Sequence, residues 1–359
     1  MLVLDFTTLL PGPLATLWMR QAGARVIKVE RPPIGDEMRE YEPRFGTTSV
    51  NFALLNAGKE SVALDLRSDA DRAQLEPLLQ RADVLVEQFR PGVMARLGLD
   101  YLRLRAVNPR LVYCSITGYG QHGPKSGVAA HDLNYVAEAG MLSLVEPTVP
   151  GVLVADIGGG SYPALANVLL ALLQRERTGE GIWLDIAMSD NLFPWMYWAL
   201  GNGLGADRWP TPSAELVTGG SPRYNLYRAA DGRYVAAAPL EDRFWTRFCE
   251  LIGLDASRID DVGDPQGTRT LVAACIAARP SASWRATFEG QDVCCNVVNT
   301  LEEALAEPHF RARGVFSDSV RVDGHVMPAL PSPISPDLRS DGGELAPPAL
   351  RSSKGQLYE

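Results

Sequence analysis

The chain has 359 residues, 46% hydrophobic and 21% charged, with a net charge of −9. That length allows two domains and a large core, and the acidic balance gives neither nucleic acid nor an anionic membrane a reason to bind. Five scattered cysteines without a CxxC spacing argue against a zinc site and a disulfide framework, and predict reduced thiols in a cytoplasmic protein. The apolar start lacks basic residues and is interrupted by Pro11, Gly12 and Pro13, so it reads as strand, turn and helix, not as a signal peptide. No apolar run reaches the roughly 18 residues of a membrane span.

In chain order, Leu2–Phe6 is an apolar strand, 14–21 a helix stopped by Gly23, and Arg25–Glu30 a second strand. This opening predicts an α/β fold with a parallel sheet. Residues 34–50 are polar and irregular. A third strand covers 61–66, a helix capped by Ser68 runs to Gln80, and Val84–Glu87 is a fourth strand. Short helices at Val93–Leu97 and Tyr101–Val107 precede a fifth strand over 111–117. A glycine-rich loop, 118–130, leads to His131 and a helix over 133–144. The apolar run 152–155 ends at Asp156, before the glycine turn 158–160. A helix over 162–175, a strand over 182–186 and a Trp-rich helix over 188–200 follow, then a Gly/Pro/Ser/Thr linker to Pro222.

Beyond the linker, Asp231-Gly232 between two apolar runs marks a hairpin, and helices are expected over 241–252, 271–278 and 284–290. These features predict a large domain over 1–212, completed by the tail 325–359, and a smaller α+β domain over 213–324. The tail carries six prolines between residues 328 and 348 and is expected to strap back over the first domain.

Residues 118–123 spell GYGQHG, a lone GxGxxG followed by Pro124 where a dinucleotide site needs a helix. Of the four histidines, only His131 precedes a regular helix. It reads either as a proton carrier or as a polar residue satisfying free N–H groups at the helix start. Asp156 reads either as a ligand-facing acid at the rim of the sheet or as an acceptor for backbone N–H groups. Arg31, Lys59, Arg90 and Arg96 recur near strand ends, where together they can form a phosphate-binding rim. No GxSxG elbow supports serine hydrolysis.

Many segments, among them LVLDFTTLLPGPLAT, LNAGKESVALDL, VLVEQFRPGVMARLGLDY, HDLNY, VADIGGG and RERTGEGIWLDIAM, occur in one order. On these the chain resembles the class III CoA-transferase (CaiB/BaiF) family, and within it the α-methylacyl-CoA racemases. The resemblance implies a Rossmann-like large domain, a smaller domain and an interlocked homodimer. It implies an acyl-CoA substrate, with CoA entering as part of that substrate and no metal or other cofactor. Transferases of the family use the aspartate matching Asp156 as an acyl-carrying nucleophile. Racemases add the histidine of HDLNY, here His131, so the resemblance favours racemisation. It implies that Glu241 contacts that histidine across the dimer interface. It also implies that Arg31, Lys59, Arg90 and Arg96 bind the CoA nucleotide, with Leu55, Phe89 and Tyr135 near the ligand. The chain departs from the pattern at Ala57 and Ala130, where relatives carry arginine and glycine, and in its tail.

Chemically, inverting a carbon next to a thioester needs a base on each face and donors for the enolate oxygen. His131 and Asp156 are the two candidate bases, and the backbone N–H of Asp132 is the candidate donor.

Overall fold

In the computed structural model, which describes residues 1–340 and 343–350, the chain divides into two units. The first takes residues 1–139, 150–194 and the described residues from 308 to 350; the second takes 140–149 and 195–307.

The strands of the first unit begin with β1 (Leu2–Phe6) and β2 (Arg25–Glu30), followed by a short ribbon of β3 (Arg44–Phe45) and β4 (Thr48–Ser49). Next come β5 (Glu60–Ala63), β6 (Val84–Glu87), β7 (Val112–Thr117) and β8 (Trp183–Ala187). Apart from the ribbon, these six strands form one parallel sheet in the order β5-β2-β1-β6-β7-β8. β1, β6 and β7 are nearly continuous apolar runs because both faces of a parallel sheet are covered. On one face Leu4, Phe6, Ile27 and Leu85 meet Leu75, Leu78, Met94 and Leu104 in a common core. Helix α1 (Pro11–Gln21) packs beside the sheet, and α2 (Val50–Asn56) precedes β5. The strand order reverses direction at β1, leaving a crevice between the ends of β1 and β6, where open α/β sheets hold ligands.

Several elements differ from expectation for identifiable reasons. The helix expected from Ser68 to Gln80 is two, α3 (Asp69–Ala73) and α4 (Glu76–Leu79), because Pro77 lacks the N–H that would continue the first. After α5 (Val93–Leu97) and α6 (Tyr101–Val107), helix α7 spans only Asp132–Glu138, and Met141–Leu144 is a separate 3-10 turn. The glycine turn after Asp156 is instead a π-helix, Ala155–Ser161, running directly into α8 (Tyr162–Thr178). Close packing explains those glycines: a Cβ on Gly159 would stand 2.3 Å from the Met188 carbonyl oxygen. The Trp-rich segment is a 3-10 helix, Asp190–Met196, interrupted by Pro194, and then α9 (Tyr197–Ala206).

The second unit holds an antiparallel sheet of β9 (Asn225–Arg228), β10 (Tyr234–Ala237) and β11 (Cys295–Val297). Helices α10 (Asp242–Ile252), α11 (Pro265–Ala277) and α12 (Ser281–Phe288) cover it around Trp245, Phe248, Val272 and Trp284. The division falls elsewhere than expected at both ends of the small domain. Residues 308–324 belong to the first unit because β12 (Ser319–Val322) pairs with β13 (His325–Pro328) and β14 (Glu344–Leu345). Val320 and Val322 pack on Ala53 and Ala57. The tail does cross the first unit: Gly58 N–H donates to Ala346 O at 2.9 Å and Ser340 N–H to Gln21 O at 2.8 Å. Tail residues 341–342 and 351–359 lie outside the described residues. Among the described residues, no helix is long and apolar enough to cross a membrane.

Candidate active site

A cavity of about 380 Å³ opens at the carboxyl ends of the strands. Leu9 and Pro11 after β1, the turn 88–91 after β6, the loop 118–130 after β7 and Met188 after β8 build its walls. Both His131 and Asp156 line it, as do Phe89, Arg90 and Tyr135.

His131 is the N-cap residue of α7, in an extended conformation. Its carbonyl accepts the Asn134 N–H at 2.8 Å, and its own N–H donates to Asn134 Oδ1 at 3.0 Å. The imidazole is exposed and lines the cavity. Tyr135 fixes the approach to it: its hydroxyl donates to Ala130 O at 2.8 Å. That ring needs Gly118, where a Cβ would stand 2.3 Å from the Tyr135 hydroxyl oxygen. Lys125 and Glu138 pair at 2.7 Å and tie the loop to the far end of α7.

Asp156 opens the π-helix, not a turn at the sheet rim, and its N–H donates to Asp132 Oδ1 at 2.9 Å. Burial pushes its carboxyl up to about 6, the Asp132 charge adds to the rise, and His131 partly offsets it. The acid therefore changes protonation state near neutral pH, as a group that both takes and returns a proton requires.

A second cavity, of about 220 Å³, lies at the ends of β1, β2 and β5. Arg31 and Arg67 line it, and Phe89 lines both cavities. Arg67 was not legible as a site residue, although it follows β5 much as Arg31 follows β2. Arg67 holds Asp65 through two hydrogen bonds, of 3.1 and 3.2 Å. Thr117 was also missed; it is buried at the end of β7, lines the 380 Å³ cavity, and its Oγ1 has no hydrogen-bond partner among the described residues.

Lys59 does not belong to the expected phosphate rim. Its ammonium is fully buried under α1, 3.1 Å from Asp5, and donates to Pro13 O, Thr16 Oγ1 and Asn56 Oδ1 at 2.8–2.9 Å. All its donor capacity is spent inside the protein. Leu55 is likewise buried in α2. Arg90 and Arg96 are exposed, the latter in the last turn of α5. Glu241, in the second unit, is the N-cap residue of α10; its side chain makes no capping bond and is exposed.

The model of CoA-transferase family III matches residues 1–351. This chain is a member of CoA-transferase family III. It is 32% identical to the human alpha-methylacyl-CoA racemase over 356 residues, covering 94% of this chain and 88% of that protein. It is 31% identical to the acetyl-CoA:oxalate CoA-transferase of Acetobacter aceti, over 93% of this chain and 88% of that one. A crystal structure of a CaiB/BaiF family protein from Brucella suis superposes with a TM-score of 0.82 at 28% identity, covering 98% of this chain and 95% of that one. Membership of CoA-transferase family III implies an acyl-CoA substrate, and the similar identities to racemase and transferase leave the reaction to be argued from the cavity.

Proposed function

We propose that this protein is a racemase of 2-methyl-branched acyl-CoA thioesters. The observation that carries the reading is the pairing of an imidazole and a carboxyl with a raised pKa, His131 and Asp156, in one cavity. The ester lies along the carboxyl edge of the sheet, with its nucleotide at Arg31 and Arg67, its arm past Phe89, and its thioester between His131 and Asp156. Arg90 and Arg96 are the remaining cations for the phosphates.

In one direction neutral His131 takes the α-proton and the electron pair moves onto the thioester oxygen. Protonated Asp156 then delivers a proton to the opposite face, leaving imidazolium and carboxylate. The reverse reaction uses these two as acid and base. The backbone N–H of Asp132 is the proposed donor to the enolate oxygen. Glu241, supplied by a second copy of the chain, orients the imidazole in this reading. Exposed apolar side chains support a homodimer: Leu169, Leu170 and Leu173 on α8, and separately Trp195, Tyr197 and Leu204 around α9.

The second reading is CoA transfer with Asp156 as nucleophile, favoured by the 31% identity to transferases. Hydroxylamine separates the two. A racemase yields no hydroxamate at Asp156 and passes no CoA to a free carboxylic acid; a transferase, trapped as its activated Asp156 carboxyl, does both.

A further inference from the structure

Glu87 ends β6 and is buried, at 3% exposure, with no ion-pair partner among the described residues. Its Oε2 accepts the Phe89 N–H at 2.8 Å. Ser115 is its register partner on β7, and Ser115 Oγ accepts the Trp183 indole N–H from β8 at 3.0 Å. The Glu87 carboxyl thus ties the backbone of the 88–91 turn to the end of β6, beside the Ser115–Trp183 pair. All four residues of that turn line the catalytic cavity, and Phe89 also lines the second. Glu87 lines neither. It faces a separate cavity of about 270 Å³ beside Ser115, Trp183 and Arg90. A buried carboxyl without a cation is costly, and what it supplies here is an acceptor for the Phe89 N–H.

We propose that Glu87 is a positioning residue: it fixes the 88–91 turn and so sets how tightly the acyl-CoA is held, without touching the reacting atoms. This rests on the reading of the two cavities as an acyl-CoA site. The ionisable groups around Glu87 are Asp185 on β8, Tyr113 and Cys114 on β7, Asp100 ahead of α6, Tyr101 in α6, and Arg90. Burial pushes the Glu87 carboxyl up to about 7; the neighbouring Ser115 hydroxyl and the Phe89 N–H lower it and Asp185 raises it further. Ionised, it accepts the Phe89 N–H with a charge-assisted bond. Neutral, one oxygen becomes a donor and the carboxyl accepts more weakly. The turn is therefore held best above about pH 7.

Acetyl-CoA binding by calorimetry tests this without requiring turnover. The Kd of the wild type rises between pH 8 and pH 6. Glu87→Ala weakens binding by about tenfold, the scale of one buried hydrogen bond to a charged acceptor, while kcat for the reaction changes little. Glu87→Gln keeps an acceptor for Phe89, restores most of the affinity and flattens its pH dependence. Wild-type affinity in Glu87→Ala, or the wild-type pH dependence persisting in Glu87→Gln, overturns the proposal. So does a loss of kcat at unchanged Kd. Wild-type protein that binds no acetyl-CoA overturns the site reading itself, and the proposal with it.

Discussion

Two groups of shielded charges in the first unit differ in how each carboxylate is compensated. Under α1, Asp5 and Lys59 are both fully buried, 3.1 Å apart. Burial alone would raise the Asp5 carboxyl, but Lys28, Lys59 and the Thr16 and Thr7 hydroxyls hold it well below the usual carboxylate range. Burial lowers Lys59 to about 8, against the pull of Asp5. At the carboxyl ends of the strands, Asp156 is also largely shielded, yet its carboxyl has another acid, Asp132, beside it and sits near 6. A carboxylate whose charge is compensated within the fold holds the fold together. One whose charge is left unstable is poised to exchange a proton.

The sharpest way to break this contrast is to exchange the roles of the two clusters. His131→Ala and Asp156→Ala each lower α-proton exchange by about a thousandfold, the middle of the range for a positioned acid or base, while thermal stability stays near that of the wild type. Lys59→Ala does the opposite. Removing one partner of a buried pair costs about 3–5 kcal/mol, read as a lower urea midpoint, and the protein that remains folded binds acetyl-CoA as the wild type does. A loss of acyl-CoA affinity without a loss of stability would return Lys59 to the ligand rim. Arg31→Ala and Arg67→Ala each weaken CoA binding by about tenfold through a lost charge-assisted contact, measured by calorimetry.

The smallest effect is a shift of a pH profile. The His131/Asp156 pair works only when it holds one proton between its two groups, so the rate falls on both sides of a plateau, identically in the two directions. The acid limb belongs to the pair and moves with the Asp156 carboxyl, which sits near 6. Because the Asp132 charge raises Asp156, Asp132→Asn lowers the Asp156 pKa and moves that limb to lower pH, extending activity downward. A limb that moves up or stays fixed contradicts this assignment.

Strands β1, β2 and β6 begin and end where the sequence predicts, because short, mostly apolar runs bounded by turn residues mark buried parallel strands even where Asp5 or Lys28 interrupts them. His131 stood out among four histidines as a local pattern at a helix start, but the residues alone left a helix-start role equally open, and only the family resemblance pointed to a base. The rest depends on distant partners. Lys59 reads as a strand-end cation until Asp5, 54 residues away, is folded against it. The glycines after Asp156 read as a turn because the Met188 carbonyl that excludes a side chain there is set by a later strand. The small-domain boundary slid because β12 is hidden in a weakly apolar segment and is drawn to the first unit by the tail. Arg67 escaped notice because only its cavity links it to Arg31.

Incubating one epimer of a 2-methylacyl-CoA with the wild-type protein in heavy water, with a free carboxylic acid also present, tests the central claim most directly. Deuterium entering the α-carbon of both epimers, with no CoA passing to the acid, is the predicted result. CoA transfer to the acid with the α-hydrogen and configuration retained would contradict it.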